Sequence, residues 1–276
     1  MPASRIAIVS DIHGNLPALQ AVWAEIERAA PTRVVNLGDL ASGPLWPRET
    51  VQWLMAREAA EPDRWHTIAG NHERQALSPD LARMGASDAF AARALGAAER
   101  AWLAALRPTQ WLDDDVLLCH GTPASDLTYF LETVIAGVGI DGSPGVRAAT
   151  PPELAARAGE APPGETRSGL AATLILCGHT HVPRAMAVAG GPRVVNPGSV
   201  GLQAYDDDHP FVHRIENGSP DARWALVERD GHGGWHIQLR ATPYDWRAAA
   251  ARAQDNGRGD WADALASGVV GRIASA

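Results

Sequence analysis

Five short apolar runs in this chain each end in residues that bind metals, and that recurrence limits its fold more than any other feature. The run ends are Ser10-Asp11-Ile12-His13, Gly38-Asp39, Gly70-Asn71-His72, Cys119-His120-Gly121 and Gly178-His179-Thr180-His181. Apolar runs that break into Gly, Asp, Asn or His read as buried strands. Ligands in open α/β sheets gather beyond the carboxyl ends of such strands. Together the clusters supply two carboxylates, one amide and five imidazoles. That set can hold two divalent cations and leave one histidine for proton transfer.

Between the clusters the pattern alternates between strand and helix, as in a layered α/β domain. Strands are expected at 5–10, 33–37, 65–69, 110–112, 116–119 and 173–177. A helix follows Asn15, which caps it with Pro17 in the first turn, and a second spans 47–60. One or two Ala-rich helices are expected within 79–107, and Asp113-Asp114-Asp115 reads as a hairpin turn. Segment 121–169 is punctuated by Gly and Pro and reads as an insertion near the site, with a helix near 127–135. Beyond it, β segments near 184–188, 193–196, 222–229 and 235–240 have hairpin spacing and suggest a second sheet closing a sandwich. Asp245-Trp246 and Asp260-Trp261 each place an Asp where it can cap a C-terminal helix. The expected fold is therefore a two-sheet β-sandwich flanked by helices. It forms a single domain over 1–276, with the insertion at 121–169 and a β-hairpin plus helices at 222–270.

Composition removes several functions. The formal charge of −8 opposes sequence-independent nucleic-acid binding, which needs a basic stripe to displace counterions. All 24 basic residues are arginine, so there is no P-loop lysine, no kinase-type lysine and no Schiff base. No run of 18 apolar residues and no secretory leader is evident, so a cytoplasmic protein away from membranes is expected. Cys119 and Cys177, the only cysteines, sit in apolar runs and read as buried free thiols.

Asp11 and His13 lie two apart at a strand exit, where both can turn toward one cation. Asp39 offers a carboxylate able to bridge two. Asn71 adds an amide oxygen, and His120, His179 and His181 add imidazoles. A mixed N/O set without thiolate suits Mn, with Fe, Zn, Ni or Co as alternatives, and disfavours Mg alone.

These motifs, with Asp11-Ile12-His13-Gly14-Asn15, Gly70-Asn71-His72-Glu73 and Asn196-Pro197-Gly198-Ser199, resemble the calcineurin-like metallophosphoesterase superfamily. Within it the chain is similar to the small bacterial phosphodiesterases, from the first strand to about residue 200. The resemblance implies α/β/β/α layers and two metals. One would be held by Asp11, His13, Asp39 and His181, the other by Asp39, Asn71, His120 and His179. His72 would not ligate but face the scissile phosphate. From the chemistry, water activated between the cations is expected to attack, with His72 assisting the leaving group and Asp39 as its orienter. In the protein Ser/Thr phosphatase branch Gly-Asp continues into Asp-Arg-Gly. Here Leu40-Ala41-Ser42-Gly43 follows, which weakens a phosphoprotein reading and leaves no arginine assigned to the phosphate.

The expected activity is hydrolysis of small phosphate esters, diesters foremost. The alternatives are a phosphomonoesterase acting on nucleotides or phosphoproteins, and a non-catalytic metal-binding scaffold. Tyr205 to His209 reads as a solvated acidic loop, and Asn196 and Ser199 as turn-fixing residues beneath the metals. The tryptophans read as core or rim, and His209, His213, His232 and His236 as hydrogen-bonded or surface side chains.

Overall fold

The computed structural model describes residues 4–137 and 144–271. Residues 138–143 of the insertion and the first three residues ahead of the first strand lie outside that description. Strand β1 (Arg5–Val9) pairs in parallel with β2 (Arg33–Asn36), which pairs in parallel with β3 (Trp65–Thr67). Asn15 caps α1 (Leu16–Ala29) by accepting from the Ala18 amide, with Pro17 in the first turn. Helix α2 (Pro47–Ala60) joins β2 to β3. Helices α3 (Asn71–Ala76), α4 (Ala86–Ala94) and α5 (Ala97–Ala105) follow.

The second sheet begins with the antiparallel hairpin β4 (Thr109–Leu112) and β5 (Val116–Cys119), turning through Asp113 in the left-handed region. Strand β8 (Leu174–Leu176) pairs in parallel with both β5 and β10 (Arg193–Asn196), and β9 (Arg184–Ala187) closes the edge. The C-terminal hairpin β13 (Ala222–Arg229) and β14 (Trp235–Thr242) does not belong to this sheet. It adds to the first one through an antiparallel β1–β13 ladder, giving the order β14-β13-β1-β2-β3. The expectation that all the late hairpins form the second sheet is corrected here. Hairpin spacing reports that two strands pair with each other, not which sheet they join.

Side-chain alternation explains the layering. Ile6 and Ile8 face Leu118, Leu176 and Val195 of the opposite sheet, forming the core between the sheets. Ala7 and Val9 point the other way, onto Leu19, Val22 and Ile26 of α1. On the far face of the second sheet, Leu117, Ile175 and Val194 are covered by Phe130, Leu131 and Leu154, the last from α6 (Pro151–Ala158). The outer layer on that side is thus supplied by the insertion. The layers are α/β/β/α.

Several local expectations change. The segment near 127–135 is not helical; Glu132–Val134 is strand β6, paired with β7 (Val146–Ala148). Ala204–Asp207 is strand β11, paired with β12 (His213–Glu216), where a solvated loop was expected, and Tyr205 is half-buried. Asp245 caps α7 (Trp246–Asp255), but Asp260 lies inside α8 (Gly259–Ser267), whose N-cap is Arg258; the two residues form an ion pair. Cys119 and Cys177 are both free and buried.

Candidate metal centre

Backbone strain marks the site before any side chain is considered. Asp11, His13, Asp39, His179 and His181 all have φ between 51° and 68°. L-residues avoid this left-handed region, at a cost on the order of 1–3 kcal/mol each where it is imposed. Among the described residues only Ala30 and Asp113 are other non-glycines with positive φ, and they occupy a helix end and a hairpin turn. The chain therefore turns sharply just past β1, β2 and β8 and carries ligand-type side chains onto the sandwich rim. The approach is tight enough to require glycine. A Cβ on Gly70 would collide with the Asp39 carboxylate, and one on Gly38 (φ 99°) with the Gly70 backbone.

Two sets of donor atoms converge there. Ligand atoms of Asp11, His13 and His181 lie within 4.8 Å of one another, and those of Asp39, His120 and His179 do the same. The sets abut: His120 Nε2, 3.0 Å from Asp39 Oδ2 of its own set, is 4.0 Å from Asp11 Oδ1 of the other. Asn71 donates its amide nitrogen to Gln75 Oε1 at 3.3 Å, which turns its oxygen inward, 3.1 Å from His120 Nε2. All seven predicted ligands come together.

The donor set fits divalent cations. Four imidazoles each bond one ring nitrogen to a backbone carbonyl: His13 to Ser42 (2.7 Å), His120 to Leu37 (2.7 Å), His181 to Leu202 (2.8 Å) and His179 to Leu127 (3.1 Å). A carbonyl can only accept, so that nitrogen carries a proton, and the other is turned to the centre, where it can ligate whenever the ring is neutral. Lone pairs then face each other, with His13 Nε2 only 3.1 Å from His181 Nε2. Asp11 Oδ1 is buried without a hydrogen-bond partner. Such contacts repel unless a cation sits among them.

Protonation tendencies agree. Burial, with neighbouring His181, drops His13 to about 4, and burial, with neighbouring His120, drops His179 to about 3, so both stay neutral. Burial disfavours charge on His120 too, but the Asp39 charge and hydrogen bond outweigh it and hold His120 at about 10. Burial works against ionised Asp39, yet the surrounding imidazoles keep it well below the usual carboxylate range. Positive charge is wanted between these groups, from a proton or from a metal.

Outer partners hold the frame. Glu73 is buried and accepts from the amides of Asp39, Leu40 and Gly70, each at 2.8 Å. Asn196 donates to the Gly178 carbonyl (2.7 Å), and Ser199 to the Asp11 carbonyl (2.7 Å), fixing turns beneath the site as expected. His72 does not join either donor set. Its ring stands edge-on to His13 at 5.5 Å between centroids and opens into a cavity of about 830 Å³. Its orienting partner is not the carboxylate of Asp39, which accepts the His72 backbone amide at 3.0 Å. Asp88 of α4 takes that role, with Oδ1 2.8 Å from His72 Nδ1. Sequence reasoning missed Asp88 because it lies 16 residues away in an Ala-rich helix with no motif.

A sandwich whose strand ends gather two abutting N/O clusters defines a binuclear metallohydrolase-type centre. The family profile described as calcineurin-like phosphoesterase matches residues 4–183, and the chain belongs to that family. It is a metal-dependent phosphoesterase with two candidate ligand clusters for a binuclear metal site. The fold is similar to that of a metallophosphoesterase from Sphaerobacter thermophilus (22% identity, 97% of this chain, 100% of that one, TM-score 0.64). It is also similar to that of a hypothetical protein from Pyrococcus horikoshii (15% identity, 98% and 99% coverage, TM-score 0.68). No curated protein matches the chain. Among the described residues no helix is long and apolar enough to cross a membrane.

Proposed function

We propose that the chain hydrolyses small phosphodiesters, with Asp11, His13, Asp39 and His181 holding one divalent cation and Asp39, Asn71, His120 and His179 the other. The observation that carries this is the abutment of the two donor sets, with His120 Nε2 of one 4.0 Å from Asp11 Oδ1 of the other. Asp39 Oδ1 is taken by the His72 amide, and its Oδ2 faces His120. When bound, two cations neutralise phosphoryl charge and lower the pKa of water toward neutrality. The soft-free N/O set favours Mn, with Fe, Zn, Ni or Co possible.

His72 supplies the proton for the leaving alkoxide. Burial opposes its charge, but Asp39 and the Asp88 hydrogen bond raise it to about 9, so the acid form is present at neutral pH. Asp88 keeps Nδ1 protonated and turns Nε2 toward the cavity. Preference for diesters rests on the room beside the metals. The cavity of about 830 Å³ is lined by Gln75, Ser87 and Trp261 as well as by Tyr129 and Tyr205, more space than a small monoester fills.

The remaining features of the reading are a single catalytic domain in the cytoplasm, with small esters as partners and no nucleic acid or membrane. The contribution of residues 222–242 to the first sheet supports treating the chain as one unit. Paired assays of Mn²⁺-loaded protein on bis-p-nitrophenyl phosphate and p-nitrophenyl phosphate test the preference. Faster turnover of the diester is expected, and faster turnover of the monoester would replace this reading with a phosphatase.

A further inference from the structure

Two tyrosines that no motif contains roof the centre. Tyr129, from the insertion, stands edge-on to His179 at 5.1 Å, and Tyr205, from β11, edge-on to His181 at 4.8 Å. The first packs against a ligand of one proposed cation, the second against a ligand of the other. Their hydroxyls meet at 2.7 Å, and the Tyr129 hydroxyl is also 2.8 Å from Nε2 of His213, which is fully buried on β12.

The direction of these bonds can be read from their far end. His213 Nδ1 lies 2.8 Å from the Phe211 carbonyl, which can only accept, so Nδ1 carries the proton of the neutral imidazole and Nε2 accepts. The Tyr129 hydrogen therefore goes to His213. With that hydrogen committed, the short contact between the tyrosines requires Tyr205 to donate to Tyr129. The Tyr205 hydroxyl also approaches the His179 carbonyl, but at 3.4 Å, the weaker of its two options. Both phenolic hydrogens thus point along the chain toward His213. The tyrosines have no hydrogen left to donate to a phosphoryl oxygen.

We infer that Tyr129 and Tyr205 are positioning residues that tie the insertion to β11 and preset His179 and His181 for their cations, rather than groups that bind phosphate. This rests on the binuclear reading above. It gives the insertion a defined task, since the Tyr129 hydroxyl joins the Tyr205 hydroxyl to His213 Nε2. Outer partners of metal-bound histidines typically change metal affinity or activity roughly 10–100-fold when removed.

The test compares Tyr129→Phe and Tyr205→Phe with wild type by equilibrium dialysis of Mn²⁺ with metal analysis, alongside the Tm of the metal-free proteins. Phenylalanine keeps each ring against its histidine and removes only the hydrogen-bonded link. Roughly 10-fold or greater loss of Mn²⁺ affinity is expected in each variant, with KM for bis-p-nitrophenyl phosphate unchanged once metal saturates. Wild-type Mn²⁺ affinity with a raised KM would make the hydroxyls substrate contacts and overturn the inference. Wild-type affinity with only a lowered Tm would make the link merely structural and overturn it equally. If one variant does not fold, the other decides. Failure of wild type to bind two Mn²⁺ would instead remove the binuclear reading, a distinguishable outcome.

Discussion

Asp88 Oδ1 lies 2.8 Å from His72 Nδ1, joining α4 to the first turn of α3 at the mouth of the metal centre. The carboxylate is almost fully buried, so its charge acts on the imidazole with little screening. With cations bound, the Asp39 charge is largely neutralised, and Asp88 becomes the main group favouring protonated His72. Asp88→Asn keeps an oxygen to accept from Nδ1 but removes the charge. The pKa of His72 should fall, so the alkaline limb of the kcat profile moves to lower pH. At pH 8 kcat should drop on the order of 10-fold with metal content intact. An unmoved limb in the pH–rate profile would separate Asp88 from the chemistry.

His72→Ala should bind two cations as wild type does and lose roughly 10²–10⁴ in kcat on bis-p-nitrophenyl phosphate. The loss should shrink for esters with very good leaving groups, which need little proton assistance. A series of substituted phenyl diesters checks this through the slope of log kcat against leaving-group pKa.

Metal affinity should rise with pH. In the metal-free protein His120 is held at about 10, above the ordinary histidine value of 6.5. A raised folded-state pKa adds stability that is fully present below about 6.5 and lost as pH climbs through the folded value. Metal must displace that proton, so proton competition weakens binding at low pH and fades toward pH 10. Chelation should therefore lower Tm least near pH 6 and most near pH 9. Differential scanning calorimetry with and without EDTA reads this directly.

Much of the centre was legible because its ligands sit at strand ends beside glycines, where local sequence carries the signal. Asp11, His13, Asp39, Asn71, His120, His179 and His181 converge as the motifs implied. What escaped was contributed by tertiary packing. Asp88 and Tyr129 reach the site from segments whose own sequences announce no chemistry. Tyr205 was hidden because Tyr-Asp-Asp-Asp-His reads as acidic loop, whereas β12 and α8 pack it into a strand. Strand β13 shows the same limit, since its apolar alternation fits either sheet and only the β1 ladder decides. Near 127–135, the run of apolar and aromatic residues suited helix or strand, and pairing with β7 settled it.

Gly70→Ala tests the crowding between strand ends. The φ and ψ of Gly70, −95° and −171°, suit alanine, so any effect is steric. The added methyl group meets the Asp39 carboxylate and its backbone. A loss of about 1–3 kcal/mol in urea unfolding is expected, together with weakened Mn²⁺ binding. Stability and metal content equal to wild type would mean that Asp39 has room to move.

Crystals grown with Mn²⁺ and inorganic phosphate, with data collected at the manganese absorption edge, would locate the cations outright. Two anomalous peaks roughly 3.5–4 Å apart should appear, with Asp39 Oδ2 in contact with both and phosphate between them and His72. A single peak, or two peaks that Asp39 does not join, would contradict the binuclear centre.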